Sequence, residues 1–276
     1  MKISAIVPTR NSGRTLAACL GSLRHQTHPD VEIIVVDNAS GDDTAALGRR
    51  MAHVFADCGP ERSAQRNHGA ELATGEIVLF IDSDMVLEPT VLADIAATFE
   101  RRTEIGAIII PERSFGIGFL ASCRELEKSL YVGHDDVEAP RAFRRDLFDL
   151  VGRWDETLTA AEDWDLADRT RAAGVGIARI SSWIWHDEGE ISLRAQYTKK
   201  QYYGRWVAEY LSRKPGARRH LSRPGLLAQA PTMLRSPLRT GGMLVLKGVE
   251  TAGLVAGMRR ARREGLLGTE LIGVGA

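Results

Sequence analysis

Residues 78–90 read VLFIDSDMVLEPT. The apolar run Val78 to Ile81 is halted by Asp82-Ser83-Asp84. A short continuous apolar run of this kind is a buried strand. Two carboxylates separated by one residue at its tip repel each other unless a cation sits between them or one is protonated. Carboxylate oxygens are hard ligands that suit Mg2+ or Mn2+, ions that commonly bridge to diphosphates. The triplet therefore reads as a metal–diphosphate site, with a solvated acidic loop as the alternative that fits the same spacing.

Working outward, the same pattern repeats. ISAIVPT (3–9) is a buried strand ended by Pro8, and Asn11-Ser12-Gly13 opens a helix through about Arg24. VEIIVVDNAS (31–40) is a second buried strand ending at Asp37, followed by a helix from GDDTAALGRRMA. HVFAD is a short strand, RSAQRNHGAELATG a helix ended by Gly75, EIVLFID a strand. EPTVLADIAATFERR is a helix with Pro89 in its first turn, and IGAIIIPE a further strand. Apolar strands alternating with helices over short loops predict a mostly parallel α/β sheet covered by helices on both faces. Ligands of such sheets bind beyond the carboxyl ends of the strands. Asp37 and the Asp82/Asp84 pair are thus expected in one cleft. Arg62 and Arg66, four apart on one helix face, point toward the same end. Their alternative is a solvated face paired with Glu61 or Glu71.

After about residue 113 the alternation breaks. Helices are predicted over GFLASCRELEKSLYV, over residues 162–174 and over LRAQYTKKQYYGRWVAEYLSR, with VGIARI as a strand. From Lys214 on, Pro and Gly punctuate what read as short amphipathic pieces. The 276 residues suffice for one large domain with an extension, expected as a catalytic domain 1–212, with halves of about 1–113 and 114–212, and a basic amphipathic extension 213–276.

The formal net charge of zero hides an asymmetry. Residues 1–198 hold 21 Lys+Arg against 32 Asp+Glu; residues 199–263 hold 15 against two. A basic tail on an acidic body calls for an anionic partner. Cys19, Cys58 and Cys123 are odd in number and widely spaced, which argues against a disulfide frame or zinc cluster and for small buried hydrophobes. Met1 opens directly into a strand and no stretch is long and apolar enough to cross a bilayer, so a cytoplasmic location is expected.

AIVPTRN, VVDNASGDDT, AQRNHGAELATGEIVLFIDSDM and AEDWDL follow one another in order, across roughly residues 1–190. Together they resemble a family 2 glycosyltransferase with the inverting GT-A fold. The resemblance implies a hexosyltransferase that uses a nucleotide sugar, UDP- or GDP-linked, with Mn2+ or Mg2+. Pro8, Thr9 and Arg10 would border the base, and Asp37 would read base or ribose. Arg62, Arg66, Asp82 and Ser83 would lie at the donor. Asp84 would ligate the metal, with Asp82 in its shell and His186 as a further ligand that follows the apolar SSWIW at a strand end. Asp163 matches the family's base and Glu162 would orient it. Trp154 and Trp164 flank this region and could stack on the acceptor sugar, a core role being the alternative. QYYGRW has one residue more between Gln201 and Arg205 than the Gln-x-x-Arg-Trp of processive synthases, so one sugar per encounter is expected. Lys199 and Arg205 would close over the diphosphate, or belong to a basic surface helix.

The tail's apolar clusters among Arg and Lys fit an anionic membrane surface near a lipid-linked acceptor or cell-envelope glycan precursor, on the inner face of the membrane. A homodimer interface is the second reading. Nucleic acid is excluded by the lack of a binding module or stacking platform. Two other functions stay open here: a nucleotidyltransferase acting on sugar phosphates, for which PTRNSGRT is a feeble phosphate loop, and a catalytically silent nucleotide-binding scaffold.

Overall fold

The computed structural model describes residues 1–134, 137–214 and 229–264. Its central sheet has seven strands in the order β3-β2-β1-β4-β8-β6-β9. All seven residues of β1 (Ile3–Thr9) are buried. It pairs in parallel with β2 (Val31–Asp37) and β4 (Ile77–Phe80), and β3 (Val54–Asp57) extends the sheet beside β2. On the other side β8 (Ala142–Arg144) runs antiparallel between β4 and β6 (Ile105–Ile109), and β9 (Gly176–Arg179) is parallel to β6.

Side chains alternate across a strand, so β1 feeds two cores. Ile3, Ala5 and Val7 pack on one face with helices α1 (Leu16–Arg24) and α4 (Val91–Arg101), through Leu16, Leu20, Ile95 and Phe99. Ile6 faces the other core with Phe80, Phe143, Phe148 and Trp154. Helices α2 (Thr44–Met51), α3 (Arg62–Leu72), α6 (Arg145–Leu150) and α7 (Glu162–Ala172) complete the alternation. A second sheet has the order β5-β10-β7, from β5 (Met85–Leu87), β10 (Ile184–Glu190) and β7 (Glu112–Ile117).

Several expected boundaries move. Pro8 does not end β1, which runs on to Thr9↔Asp37. Ile3 and Thr9 turn their polar groups toward β2 and Ile6 toward β4, so the missing N–H of Pro8 falls on the β4 side, where strand pairing has stopped at Phe80. Helix α1 starts only at Leu16, after a turn in which Thr15 donates to the Ser12 carbonyl. Pro89 lies before α4, whose N-cap is Thr90. Helix α3 ends at Leu72, and Gly75 serves instead a close approach to the first strand: a Cβ there would lie 2.7 Å from the Lys2 carbonyl oxygen.

The chain divides into two compact units. The first holds Met1–Ser114, Val132–Thr157 and Asp165–Asp187; the second holds Phe115–Tyr131, Leu158–Trp164 and Glu188–Ala276. The boundary expected after residue 212 falls inside the second unit. That unit is built on α5 (Phe119–Ser129), α8 (Leu193–Arg213), α9 (Ala230–Leu234) and α10 (Pro237–Arg263). The pieces expected after Lys214 are thus replaced, from Pro237, by one helix of 27 residues; residues 215–228 and 265–276 lie outside the described residues. Glycines read as breaks are places where two helix backbones meet. A Cβ on Gly257 would sit 2.1 Å from the Gln201 carbonyl oxygen, and one on Gly253 2.5 Å from that of Tyr197.

Helices α5 and α10 also share a buried ion cluster. Arg124 donates to Glu127 at 2.5 Å and to Glu250, and Lys247 donates to Glu250 at 3.0 Å. Burial alone would raise the Glu250 carboxyl, but Arg124 and Lys247 outweigh it and hold it at about 2, against an ordinary 4.5. A depressed carboxylate stabilises the fold above its unfolded pKa, and that contribution is lost as pH falls through the folded one. Glu250→Gln is therefore expected to lower stability by about 3 kcal/mol at neutral pH. In urea melts the difference from the parent should shrink as pH falls from about 4.5 toward 2. Equal stability of the two proteins at pH 7 would remove the cluster from the account.

Candidate functional site

The loops that follow β1, β2 and β4 are joined by hydrogen bonds at the carboxyl end of the sheet. Asp37, buried at the tip of β2, accepts from Thr9 Oγ1 at 2.8 Å and from the Ser40 amide and hydroxyl at 2.9 and 2.6 Å. Ser40 Oγ in turn accepts from the Asn11 amide at 2.8 Å, and Asn11 Oδ1 from the Gly41 amide. Ser12 Oγ meets Ser83 Oγ at 2.8 Å. Asp37 and the Asp-Ser-Asp triplet are therefore brought together, as members of one network. Asn11 and Ala39 hold left-handed backbone, with φ of 50° and 47°. Ala rarely adopts that region, and the surrounding bonds hold it there.

Three consecutive residues of α3 anchor the site. Gln65 Nε2 donates to the carbonyls of Thr9 and Val36 at 2.9 and 2.7 Å, pinning the ends of β1 and β2. Asn67 bonds the backbone of Trp154 in both directions. Between them Arg66, 1% exposed, donates to Asp82 Oδ1 at 2.9 Å with its guanidinium 4.5 Å from the Trp154 ring. Arg141 takes the other oxygen of Asp82 at 3.4 Å and also Glu112 at 2.6 Å. Burial would raise the Asp82 carboxyl, but Arg66, Arg141 and Arg62 together outweigh it and hold it well below the usual carboxylate range. The repulsion at the strand tip is thus offset by guanidinium on one of the two acids.

Asp84 lies in a different setting. Strand β10 is antiparallel to β5 with His186 opposite Met85, and the Asp187 amide donates to the Asp84 carbonyl at 2.8 Å. This pairing sets His186 Nε2 3.1 Å from Asp84 Oδ2. His186 is the third residue of β10, not a strand-end residue as its sequence context suggested. Asp84 Oδ1 is buried and has no hydrogen-bond partner among the described residues. Such an oxygen is costly to bury unless something occupies its lone pairs. A carboxylate with an open oxygen beside an imidazole suits Mn2+ or Mg2+. Among the described residues no group of three or more His, Cys, Asp or Glu could hold a metal ion, so most positions around a cation would fall to diphosphate and water. Asp82, expected in the metal shell, is engaged through both oxygens by arginine. The buried Cys19 thiol is pushed up by burial and by Asp84 and Asp82, which leaves it an inert core residue.

Most of this strand-tip arrangement, from Thr9 to Arg141, lies within residues 4–150, over which the chain matches the model of the family described as "Glycosyl transferase family 2", while Trp154, His186 and Asp187 lie beyond the matched stretch. The chain belongs to glycosyl transferase family 2. Among the relatives of this family 2 chain, an uncharacterised glycosyltransferase of Nostoc sp. is 31% identical over 115 residues, 39% of the chain and 36% of the relative. A "PGL/p-HBAD biosynthesis glycosyltransferase" of Mycobacterium bovis is 30% identical over 175 residues, 59% of the chain and 66% of the relative. The chain thus spans less than two thirds of these curated relatives. Its fold is that of the mannosyltransferase PcManGT from Pyrobaculum calidifontis, solved with GDP-Man and Mn2+: TM-score 0.66, 21% identity, 93% of this chain and 87% of that one. S. aureus TarS 1-349, solved with UDP-GlcNAc, matches at TM-score 0.55 and 20% identity over 96% and 92%. The expected GT-A fold is the one observed, and family membership removes the nucleotidyltransferase reading.

The remaining expected site residues of this family 2 chain are placed as follows. Pro8 and Thr9 are buried at the end of β1, Arg10 is exposed, and Arg62 opens α3. Trp154 is a correction: it is 4% exposed and packs edge-on against Phe80 at 5.2 Å, so it fills the core and has no face for a sugar. In the second unit, Glu162, Asp163 and Trp164 form the first turn of α7. Glu162 is buried and Asp163 half-buried, while Trp164 packs beside the cluster of Leu158, Val207 and Tyr210. On α8, Lys199 is exposed, and Arg205 reaches Glu264 at 2.9 Å. Gln65, Asn67 and Arg141 were missed. The first two flank Arg66 in the quoted motif, and their amide side chains inside a helix were a usable signal of buried anchoring. Arg141 precedes a three-residue strand and carries no local signal.

Arg66→Met should expose how strongly the Asp82 charge depends on its partner. Removing one guanidinium from a buried pair commonly costs 3–5 kcal/mol. Arg141 and partial solvent access discount this to about 2–3 kcal/mol. Chemical denaturation measures it, and Asp82→Asn in the same background should recover part of the loss. No recovery would mean that Arg66 acts through packing on Trp154 alone.

Proposed function

We propose that this protein is a metal-dependent inverting glycosyltransferase that moves one sugar per encounter from a nucleoside-diphosphate sugar to an acceptor hydroxyl. The observation that carries the reading is Asp84, with a buried open oxygen and His186 at 3.1 Å, beside an Asp82 already neutralised by arginine. The GDP-Man, UDP and UDP-GlcNAc held by neighbours of the same fold support a UDP- or GDP-linked donor.

Asp84 and His186 would hold a Mn2+ or Mg2+ ion. Bound there, the cation would supply charge stabilisation for the leaving diphosphate. Arg66 and Arg141 keep Asp82 ionised and fixed. The loop of Asp37, Ser40 and Asn11 is preorganised to bound the nucleoside, and Ser83 ties that loop to the triplet. Asp163 is assigned as general base, taking the acceptor hydroxyl proton as oxygen attacks the anomeric carbon and the diphosphate leaves from the opposite side. One such displacement inverts that carbon without a covalent sugar–enzyme stage. Glu162 is assigned to orient Asp163, and Trp164 to the acceptor. The acceptor is read as lipid-linked, or a cell-envelope glycan precursor, at the inner face of a membrane, on the strength of the basic tail. Among the described residues no helix is long and apolar enough to cross a membrane.

A ligand that binds only the folded state raises apparent stability. A panel of UDP- and GDP-sugars, each with and without Mn2+, should raise the melting temperature for at least one donor, and more with metal than without. Equal shifts with and without metal would reject the metal site. No shift for any donor would favour the silent scaffold.

A further inference from the structure

We propose that the outward face of α10 docks on an anionic lipid leaflet. The helix has a clear inside: Met243, Leu246, Glu250, Gly253, Gly257 and Ala261 are buried. Its other side is apolar and open, with Leu238, Leu244, Val245 and Val255 exposed, as is Leu234 of α9. A single exposed leucine is ordinary, but Leu238, Leu244, Val245 and Val255, with exposed Gly248, Thr251 and Ala252 between the last two, leave this side of the helix without a charged residue from Leu244 to Val255 other than Lys247 and the buried Glu250. Past Val255 the same face turns cationic. Arg259, Arg262 and Arg263 have no carboxylate partner among the described residues, and Arg260 bonds Glu264 at 2.8 Å.

A groove of about 930 Å³ lies along this face, between α8 and α10. Ala252, Val255 and Ala256 line it, and Lys247, Arg259 and Arg263 stand along it. An apolar surface that leads into guanidinium groups matches an amphiphile with a phosphate head and an acyl stem. An acidic protein partner would satisfy the arginines but leave the apolar turns exposed, and a neutral membrane would satisfy the turns but not the arginines. The charge therefore selects an anionic bilayer as the occupant. This rests on the lipid-linked acceptor reading above and gives it a place on the chain.

The test is co-sedimentation of the full chain with vesicles of phosphatidylcholine alone and with about a third phosphatidylglycerol, a content at which surface arginines contribute measurably. Binding to the anionic vesicles only, weakened but not abolished as salt rises, is expected. Arg259→Gln with Arg263→Gln should weaken it about 25-fold, at about fivefold per arginine near an anionic surface. Val245→Asp with Val255→Asp should remove the part that resists salt. Both pairs are solvent-facing, and circular dichroism checks that the variants fold. Absence of binding at low salt, equal binding to neutral vesicles, or unchanged binding by both variants would overturn the proposal. So would a dimer that Val245→Asp disperses while vesicles are ignored. Because Mn2+–nucleotide binding is measured on the same samples, absence of vesicle binding by the unmodified chain with nucleotide binding intact rejects the docking face and leaves the transferase reading standing.

Discussion

Asp84→Ala should abolish metal-dependent binding of nucleoside diphosphate and lower turnover at least about a thousandfold, while leaving the fold intact. The size follows from what the side chain does in the protein alone, which is little. Its Oδ1 bonds nothing among the described residues, and its Oδ2 meets His186 Nε2 at 3.1 Å. One oxygen of this carboxylate is buried without a bonding partner among the described residues, and Asp82 stands two residues away. Removing it relieves repulsion of Asp82, so the metal-free variant should melt no lower than the metal-free parent. Calorimetric titration with UDP or GDP, with and without Mn2+, reads the binding arm and thermal melts read the other. Unchanged diphosphate affinity in the variant, or a large loss of stability without metal, would make Asp84 a structural residue.

Asp163→Asn should leave donor binding within about threefold of the parent and lower turnover by about two to four orders of magnitude, the range of general-base catalysis. Asparagine preserves shape and cannot accept the proton, so a split between unchanged binding and lost turnover separates base from scaffold. Glu162 is the control. It is buried on the first turn of the same helix, and if it orients Asp163, Glu162→Gln should lower turnover less and also shift the acidic limb of the pH profile. Near-native turnover of Asp163→Asn would transfer the base to Glu162.

Much of the first unit was legible because its strands are buried on both sides. Ile3–Thr9 and Val31–Asp37 are mostly apolar, interrupted only by Ser4 and Glu32 at their second positions before the polar ends Thr9 and Asp37, and are bounded by turn residues, which suits a buried strand. The helix Leu193–Arg213 was equally plain from its length, and in the structure Ser192 caps it by accepting from the Ala195 amide. The three-residue strands Met85–Leu87 and Ala142–Arg144 were not legible, since nothing periodic can be seen in three residues. They matter out of proportion to size: one brings His186 opposite Met85, and the other follows Arg141. Trp154 misled because a tryptophan near acidic motifs suits a sugar platform as well as a core, and only the packing on Phe80 and Arg66 decides. The long α10 misled for a similar reason. Glycine in a helix interior normally lowers helix propensity, and its use for close backbone approach depends on a partner that the local sequence does not name.

The most direct measurement is proton NMR of donor turnover by the full chain with Mn2+, following slow transfer to water when no acceptor is supplied. The account predicts that one UDP- or GDP-sugar is cleaved only with the divalent ion, and that the sugar first released has the anomeric configuration opposite to that of the donor, before mutarotation mixes the two. Release with retained configuration, or cleavage that proceeds equally after chelation of the metal, would contradict it.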